Sequence, residues 1–292
     1  MTVPEAKLGP LHRADGSATY SHAGYSVICA VNGPVEVQRR DELPDEAAIE
    51  VNVRPAVGVG GPRERHLETL IHSTVRHIIL THLHPRTLIQ ITLQILSLPE
   101  TESDLRSSSH IHLLPPLLNT TSLALLHASI PLSTTLTSTI IALPSSPPSH
   151  PSALSTPSSG TAPILDPSPA QILQAKSVHV FAFSSKGEVL LAASEGGFGV
   201  EEWEGAEEVA RVACLATSEG QARKGGGHTG RDGDVDMDMD DSEGEGEGGG
   251  GVSLDGNVVA GGTKDDGGRG GIIGVLSGAV EEKAREVGRW RA

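Results

Sequence analysis

Between Tyr25 and Ile95 the spacing of apolar residues changes from two to about 3.6 and back to two, which excludes a purely helical or purely stranded architecture. Tyr25, Val27, Cys29 and Val31 alternate with Ser26, Ile28 and Ala30, both sets apolar or small, as expected of a strand covered on both faces. In AIEVNV the alternation sets Ile49, Val51 and Val53 inward against Glu50, Asn52 and Arg54, a strand with one wet face. Leu67, Leu70, Ile71, Val75, Ile78, Ile79 and Leu83 then fall at helical spacing. Gly61-Pro62 supplies a start and His84-Pro85 a stop, which predicts a helix over 62–83. Ile89, Ile91, Leu93 and Ile95 return to alternation against Gln90, Thr92 and Gln94.

The flanking text fills out the order. ATYS from residue 18, a turn at His22-Ala23-Gly24, and VEVQ from residue 35 read as further strand and turn. Pro115 to Leu132 reads as a second helix carrying Leu117, Leu118, Leu125 and Ala128, and 137–143 as a strand. APILD, SVHVFAFS and GEVLLAAS predict three strands, the last two joined at Lys186-Gly187, and EEWEGAEEVARVACLA an acidic amphipathic helix. Strands, helix, strand, helix, strands, helix, helix describe an α+β layer with helices against mixed sheets.

Two stretches cannot supply a core. Residues 144–160 are rich in proline and serine, and 219–271 in glycine, aspartate and glutamate. Ile272, Ile273, Val275, Leu276, Val280 and Val287 follow the second stretch as a packing surface, so both are expected to be insertions. The expected organisation is a domain over 1–218 with an excursion at 144–160, a disordered insertion over 219–271, and a helix over 272–292 that packs back.

The formal net charge of −15 loses its meaning once located, because residues 232–247 hold nine of the 37 carboxylates and removing them leaves −15 + 9 = −6. No broad basic field remains, so any anion site is local. Cys29 and Cys214 form neither a disulfide framework nor a thiolate metal pattern, and a reducing intracellular home is expected. No charged-then-apolar leader opens the chain and no apolar run approaches ~20 residues, so a soluble protein without a membrane is expected. With two tyrosines, two tryptophans and three phenylalanines, an aromatic platform for single strands has little to draw on.

LHRADGSATYSHAGYSVICAVNGP, PRERHLETLIHSTVRHIIL and LHPRTLIQITLQIL, in that order, resemble the RNase PH family, more narrowly its exosome ring subunits. The resemblance runs with gaps from Leu11 to Phe198 and extends to the final helix once both insertions are set aside. It implies an RNase PH-like fold, six such domains in a ring, and a role in 3′-to-5′ RNA processing and degradation, rRNA maturation included. Implied partners are the other RNase PH-type ring subunits, the cap proteins, the catalytic exosome nuclease and RNA in the assembled channel. The implied location is nucleus, nucleolus and cytoplasm.

Active relatives carry a Gly-Thr-Arg or Gly-Ser-Arg turn that cradles phosphate at the start of the second helix. Over 107–119 this chain has SSSHIHLLPPLLN, without glycine or arginine. Active relatives also carry two aspartates that hold a metal or serve as acid; Ser177 and His179 match those places here, and Asp166 survives nearby. Losing a positioned acid costs roughly 10²–10⁴ in rate, and losing a preorganised anion-stabilising group about 10²–10³ more. The expectation is a ring subunit that is not an enzyme, with no catalytic residue, metal or cofactor. The competing expectation is a phosphorolytic 3′-to-5′ exoribonuclease that completes its site with a neighbour's residues. A third, a disordered acidic interaction protein, fits only 219–271.

Arg63, Arg65 and Arg86 are the candidate RNA-phosphate contacts, each weighed against a structural ion pair with Glu68, Glu50 or a neighbouring subunit. GVGGPRER, 58–65, opens a helix with glycines and two arginines but lacks the lysine and hydroxyl of a nucleotide loop, so local anion contact competes with a plain helix start. The pairs His82/His84 and His110/His112 have no third ligand at a supporting spacing. The aspartates of 232–241 lack the closing glutamate of a calcium loop and suit a solvated acidic loop, in which Ser242 is a candidate phosphorylation acceptor.

Overall fold

The computed structural model describes residues 4–99, 110–145, 162–222 and 272–289. The expected insertions fall mostly outside these residues. In chain order the elements are β1 (Glu5–Leu8), β2 (Gly16–His22), β3 (Tyr25–Glu36), β4 (Ala48–Arg54), α1 (Pro62–Ile78), β5 (Thr87–Ser97) and α2 (Leu114–His127). They continue with β6 (Leu136–Pro144), β7 (Ile164–Leu165), α3 (Pro169–Gln174), β8 (Ala175–Ser184), β9 (Val189–Gly196), α4 (Val200–Ala222) and α5 (Ile272–Arg289).

Two sheets form among the described residues. The first has five strands in the order β1-β2-β3-β5-β4, antiparallel except that β4 runs parallel to β5; the second has the order β7-β6-β8-β9. The β2–β3 hairpin closes through Ala23 (φ 52) and Gly24 (φ 88), two left-handed residues whose twist matches that of the flanking strands. Ile89, Ile91, Leu93 and Ile95 of β5 are buried beside Val27, Cys29 and Val31 of β3. Ser26, Ile28 and Ala30 are only half-buried, so among the described residues this face of β3 is less covered than the other, where the sequence predicts cover on two.

Helix α2 lies between the sheets, against β2 and β3 on one side and β6 and β8 on the other. Its residues are buried without interruption from Leu114 to Leu125. Helix α4 covers the other face of the second sheet, where Ile141, Phe181 and Phe183 meet Ala206, Ala210 and Cys214. Helix α5 returns against β1, α2 and α4, with Leu276 in the main core.

Several boundaries differ from those predicted. Helix α1 stops at Ile78 rather than 83, because Ile79 turns extended and bridges Leu132 while Ser133 donates its N–H to the Ile78 carbonyl. Helix α2 stops at His127 rather than Leu132. Ser129 is left-handed (φ 57), and the N–H groups of Ser129 and Ile130 close on the carbonyls of Leu126 and Leu125 as a C-terminal cap. VEVQ is not a separate strand, since β3 runs on to Glu36 and ends there. APILD shrinks to two paired residues, and α3 follows it, started by Ser168 and Gln171 bonding each other's backbone N–H groups.

Candidate functional site

The three motifs that carry the resemblance do structural work. In RADGSA, Asp15 Oδ2 accepts from Gly33 N at 2.9 Å, and Ser17 Oγ accepts from Leu11 N at 3.1 Å. Gly16 lies so close to α2 that a Cβ there would come 2.4 Å from the Ala124 carbonyl and the Ala128 methyl. On α1, Glu64 caps Gly61 N at 2.6 Å, and Glu68 Oε1 accepts from Val53 N at 2.9 Å, tying the helix to β4. The glycine-rich start of α1 therefore already holds a carboxylate of its own chain where an external anion would bind.

Each predicted arginine is also engaged. Arg63 Nη1 donates to His110 Nε2 at 2.9 Å, and Arg65 Nη1 lies 3.2 Å from Glu68 Oε2. Arg86 Nε lies 3.4 Å from Glu42 Oε1, a partner that sequence reasoning did not name. Arg86 has a left-handed backbone (φ 62), and its N–H donates to the Leu43 carbonyl at 3.1 Å. All three side chains stay exposed, so these pairs are weak, on the order of 0–1 kcal/mol.

Over the segment matched to the phosphate turn, residues 110–119 are described. A 3₁₀ turn at His110–Leu113 leads into α2, whose first three residues are Leu114, Pro115 and Pro116. Phosphate binds a helix start through free N–H groups, and proline has none. This helix start is buried as well, with Leu114 at 0% exposure. Beside it opens a cleft lined by Tyr20, His22, Tyr25, His112, Pro115, Pro116 and Asp166, among others, and among the described residues no lysine or arginine contributes to its wall. Among the described residues Asp166 is the carboxylate that lines it. Burial pushes that carboxyl above its ordinary range, with the nearby His22 and a 3.4 Å hydrogen bond from Thr139 Oγ1 pulling the other way. Among the described residues the lining therefore supplies no fixed cation to pair with a phosphate.

Ser177 and His179 do not reach this cleft. On β8 they share a face with Phe181 and Phe183, turned toward α4, while Val178, Val180 and Ala182 turn into the main core. Ser177 Oγ is 2.9 Å from His179 Nε2, and His179 Nδ1 is 2.8 Å from Ser194 Oγ on β9. The Phe198 ring meets the imidazole in a T-shaped contact, 4.7 Å between centroids. Burial lowers the His179 pKa, which the charge of Glu202 partly offsets. Magnesium needs several hard oxygens, and a buried serine already bonded to an imidazole does not provide them. Among the described residues no three His, Cys, Asp or Glu side chains gather as a metal site. Ser194 and Phe198 escape sequence reasoning, because nothing in GEVLLAAS or GGFG signals that their side chains meet His179.

Two sheets enclosing a buried helix, with a parallel edge strand, form an RNase PH-like fold, and residues 4–131 match the model of the 3′ exoribonuclease family, domain 1. Similar proteins include exosome complex component RRP46 of Saccharomyces cerevisiae, 42% identical over 100 residues, which are 34% of this chain and 45% of that protein. The rrp46 component of Schizosaccharomyces pombe is 36% identical over 126 residues, covering 43% of this chain and 51% of the relative. The crystal structure of rice Rrp46 superposes with a TM-score of 0.60 at 26% identity, covering 75% of this chain and 90% of that one. The chain thus spans about half the length of the curated relatives it matches. No described helix is long and apolar enough to cross a membrane.

Proposed function

We propose that the protein is a non-catalytic ring subunit of the RNA exosome, a scaffold for 3′-to-5′ RNA processing and degradation, rRNA maturation included. The observation that carries this reading is the start of α2. Where a phosphorolytic enzyme presents N–H groups and an arginine, this chain places two prolines in a buried first turn beside a carboxylate. The Ser177–His179–Ser194 chain supports it, since the matched acidic pair is replaced by neutral groups that satisfy one another.

In this reading the partners are other RNase PH-type ring subunits, the cap proteins and the catalytic nuclease, with RNA passing through the shared channel in nucleus, nucleolus and cytoplasm. Arg63, Arg65 and Arg86 serve RNA only by exchanging the partner each already holds. The half-buried outer face of β3 is surface available to a neighbour. Affinity purification at moderate salt tests the assignment: ring subunits and nuclease co-purify in fixed proportion, and recovery of the protein alone overturns it.

A further inference from the structure

We infer that Arg39 and Arg40 are the phosphate contacts at this end of the molecule, taking single-stranded RNA on a turn that Arg86 holds in place; this rests on the exosome reading above. Strand β3 ends at Glu36 opposite Thr87, and β4 begins at Ala48 opposite Leu88, so one end of the first sheet carries both the 37–46 connection and Arg86. That connection is pinned along its second half. Arg86 pairs with Glu42, Arg76 Nη2 pairs with Glu46 Oε1 at 2.8 Å, and backbone bonds run from Arg86 N to Leu43 O and from Ala47 N to Thr81 O. Its first half turns back through Asp41 N to Gln38 O at 2.9 Å and lifts Arg39 and Arg40 into solvent.

The two arginines differ from the three that the sequence nominates. No carboxylate among the described residues lies within 4.0 Å of either guanidinium, although Glu36, Asp41 and Asp45 are close in the chain. Glu42 and Glu46, the remaining acids of the connection, are neutralised by Arg86 and Arg76. Adjacent unpaired guanidinium groups on a pinned turn meet successive phosphates of a flexible strand without first breaking an ion pair. The left-handed backbone of Arg86 has a local role here, since it directs the N–H to Leu43 and the side chain to Glu42.

The test uses the full chain and a labelled oligouridylate, with affinity measured across a salt series for wild type, Arg39→Gln/Arg40→Gln and Arg86→Gln. Each lost phosphate contact lowers the salt slope by about 0.7, so the double variant is expected to lose about 1.4. Arg86→Gln is expected to weaken binding at the wild-type slope, because it loosens the turn without removing a contact. Thermal midpoints equal to wild type confirm that the variants are folded. The inference is overturned by an unchanged slope in the double variant, by an equal slope loss in Arg86→Gln, or by no binding in wild type. Competition by polyglutamate of equal charge as strong as by RNA also overturns it, and assigns the pair to an acidic protein partner. Co-purification is read separately: a chain that joins no ring yet loses the slope defeats the exosome reading and leaves the arginine site standing.

Discussion

Ser177 Oγ and His179 Nε2 sit 2.9 Å apart on one face of β8, and the far nitrogen of the same imidazole bonds Ser194 on β9. The bonds cross-link two strands beneath α4 and leave neither group available to a substrate. Both side chains serve the packing of β8 and β9.

Returning aspartates to these positions is therefore expected to damage the fold rather than restore a nuclease. Ser177→Asp/His179→Asp places two adjacent carboxylates where the native side chains are 2% and 0% exposed. Uncompensated buried charge of this kind costs on the order of 3–5 kcal/mol. Urea denaturation should show that loss, and phosphate-dependent cleavage of RNA should stay absent.

Stability should rise with pH between the acid range and neutrality. Burial lowers the pKa of His179, and burial together with Lys283 lowers that of His127, whose Nδ1 accepts the Ser17 N–H at 3.2 Å. With folded values below the unfolded one near 6.5, their contribution is present above that pH and is lost as pH falls through the folded values. Denaturant midpoints at pH 5 and 7.5 measure it, and His127→Asn should flatten the dependence while lowering stability at pH 7.5. A flat wild-type profile would contradict this account.

Asp166 carries the opposite sign. Its folded pKa is raised, so its contribution is present below the unfolded value of 3.8 and is lost as pH rises through the folded one. Asp166→Asn should raise the thermal midpoint at pH 7, with the gain vanishing near pH 3. Asparagine also tolerates the left-handed backbone (φ 49) that Asp166 adopts.

Glu68 and Arg65 should separate cleanly. Glu68→Ala leaves Val53 N without its acceptor and is expected to cost about 1–3 kcal/mol. Arg65→Ala removes an exposed pair and should cost under about 1 kcal/mol. Equal losses in the two variants would mean that the ion pair, rather than the tie to β4, is what matters.

Period and punctuation carried most of the fold. Ile89 to Ile95, the Ala23-Gly24 turn and the body of α1 are legible because local spacing and turn chemistry agree with the tertiary outcome. The ends of α1 and α2 are not, because the Ile79–Leu132 bridge and the cap at Ser129 are decided by packing between segments distant in sequence or by a left-handed residue other than glycine. Helix α3 was not predicted: the serine and glutamine of SPAQ form a reciprocal cap, but six residues give no period. In the site, the two prolines that open α2 are legible in SSSHIHLLPPLLN. The Glu42 partner of Arg86 and the Ser194 partner of His179 do not, since each arrives from another part of the chain.

The most direct measurement of the central claim is phosphate-dependent release of nucleoside diphosphates from a short single-stranded RNA, by the purified chain alone and by the chain reconstituted with ring neighbours. No phosphate-dependent release attributable to this subunit is predicted in either preparation. Release that requires inorganic phosphate and stops with Asp166→Ala would contradict it.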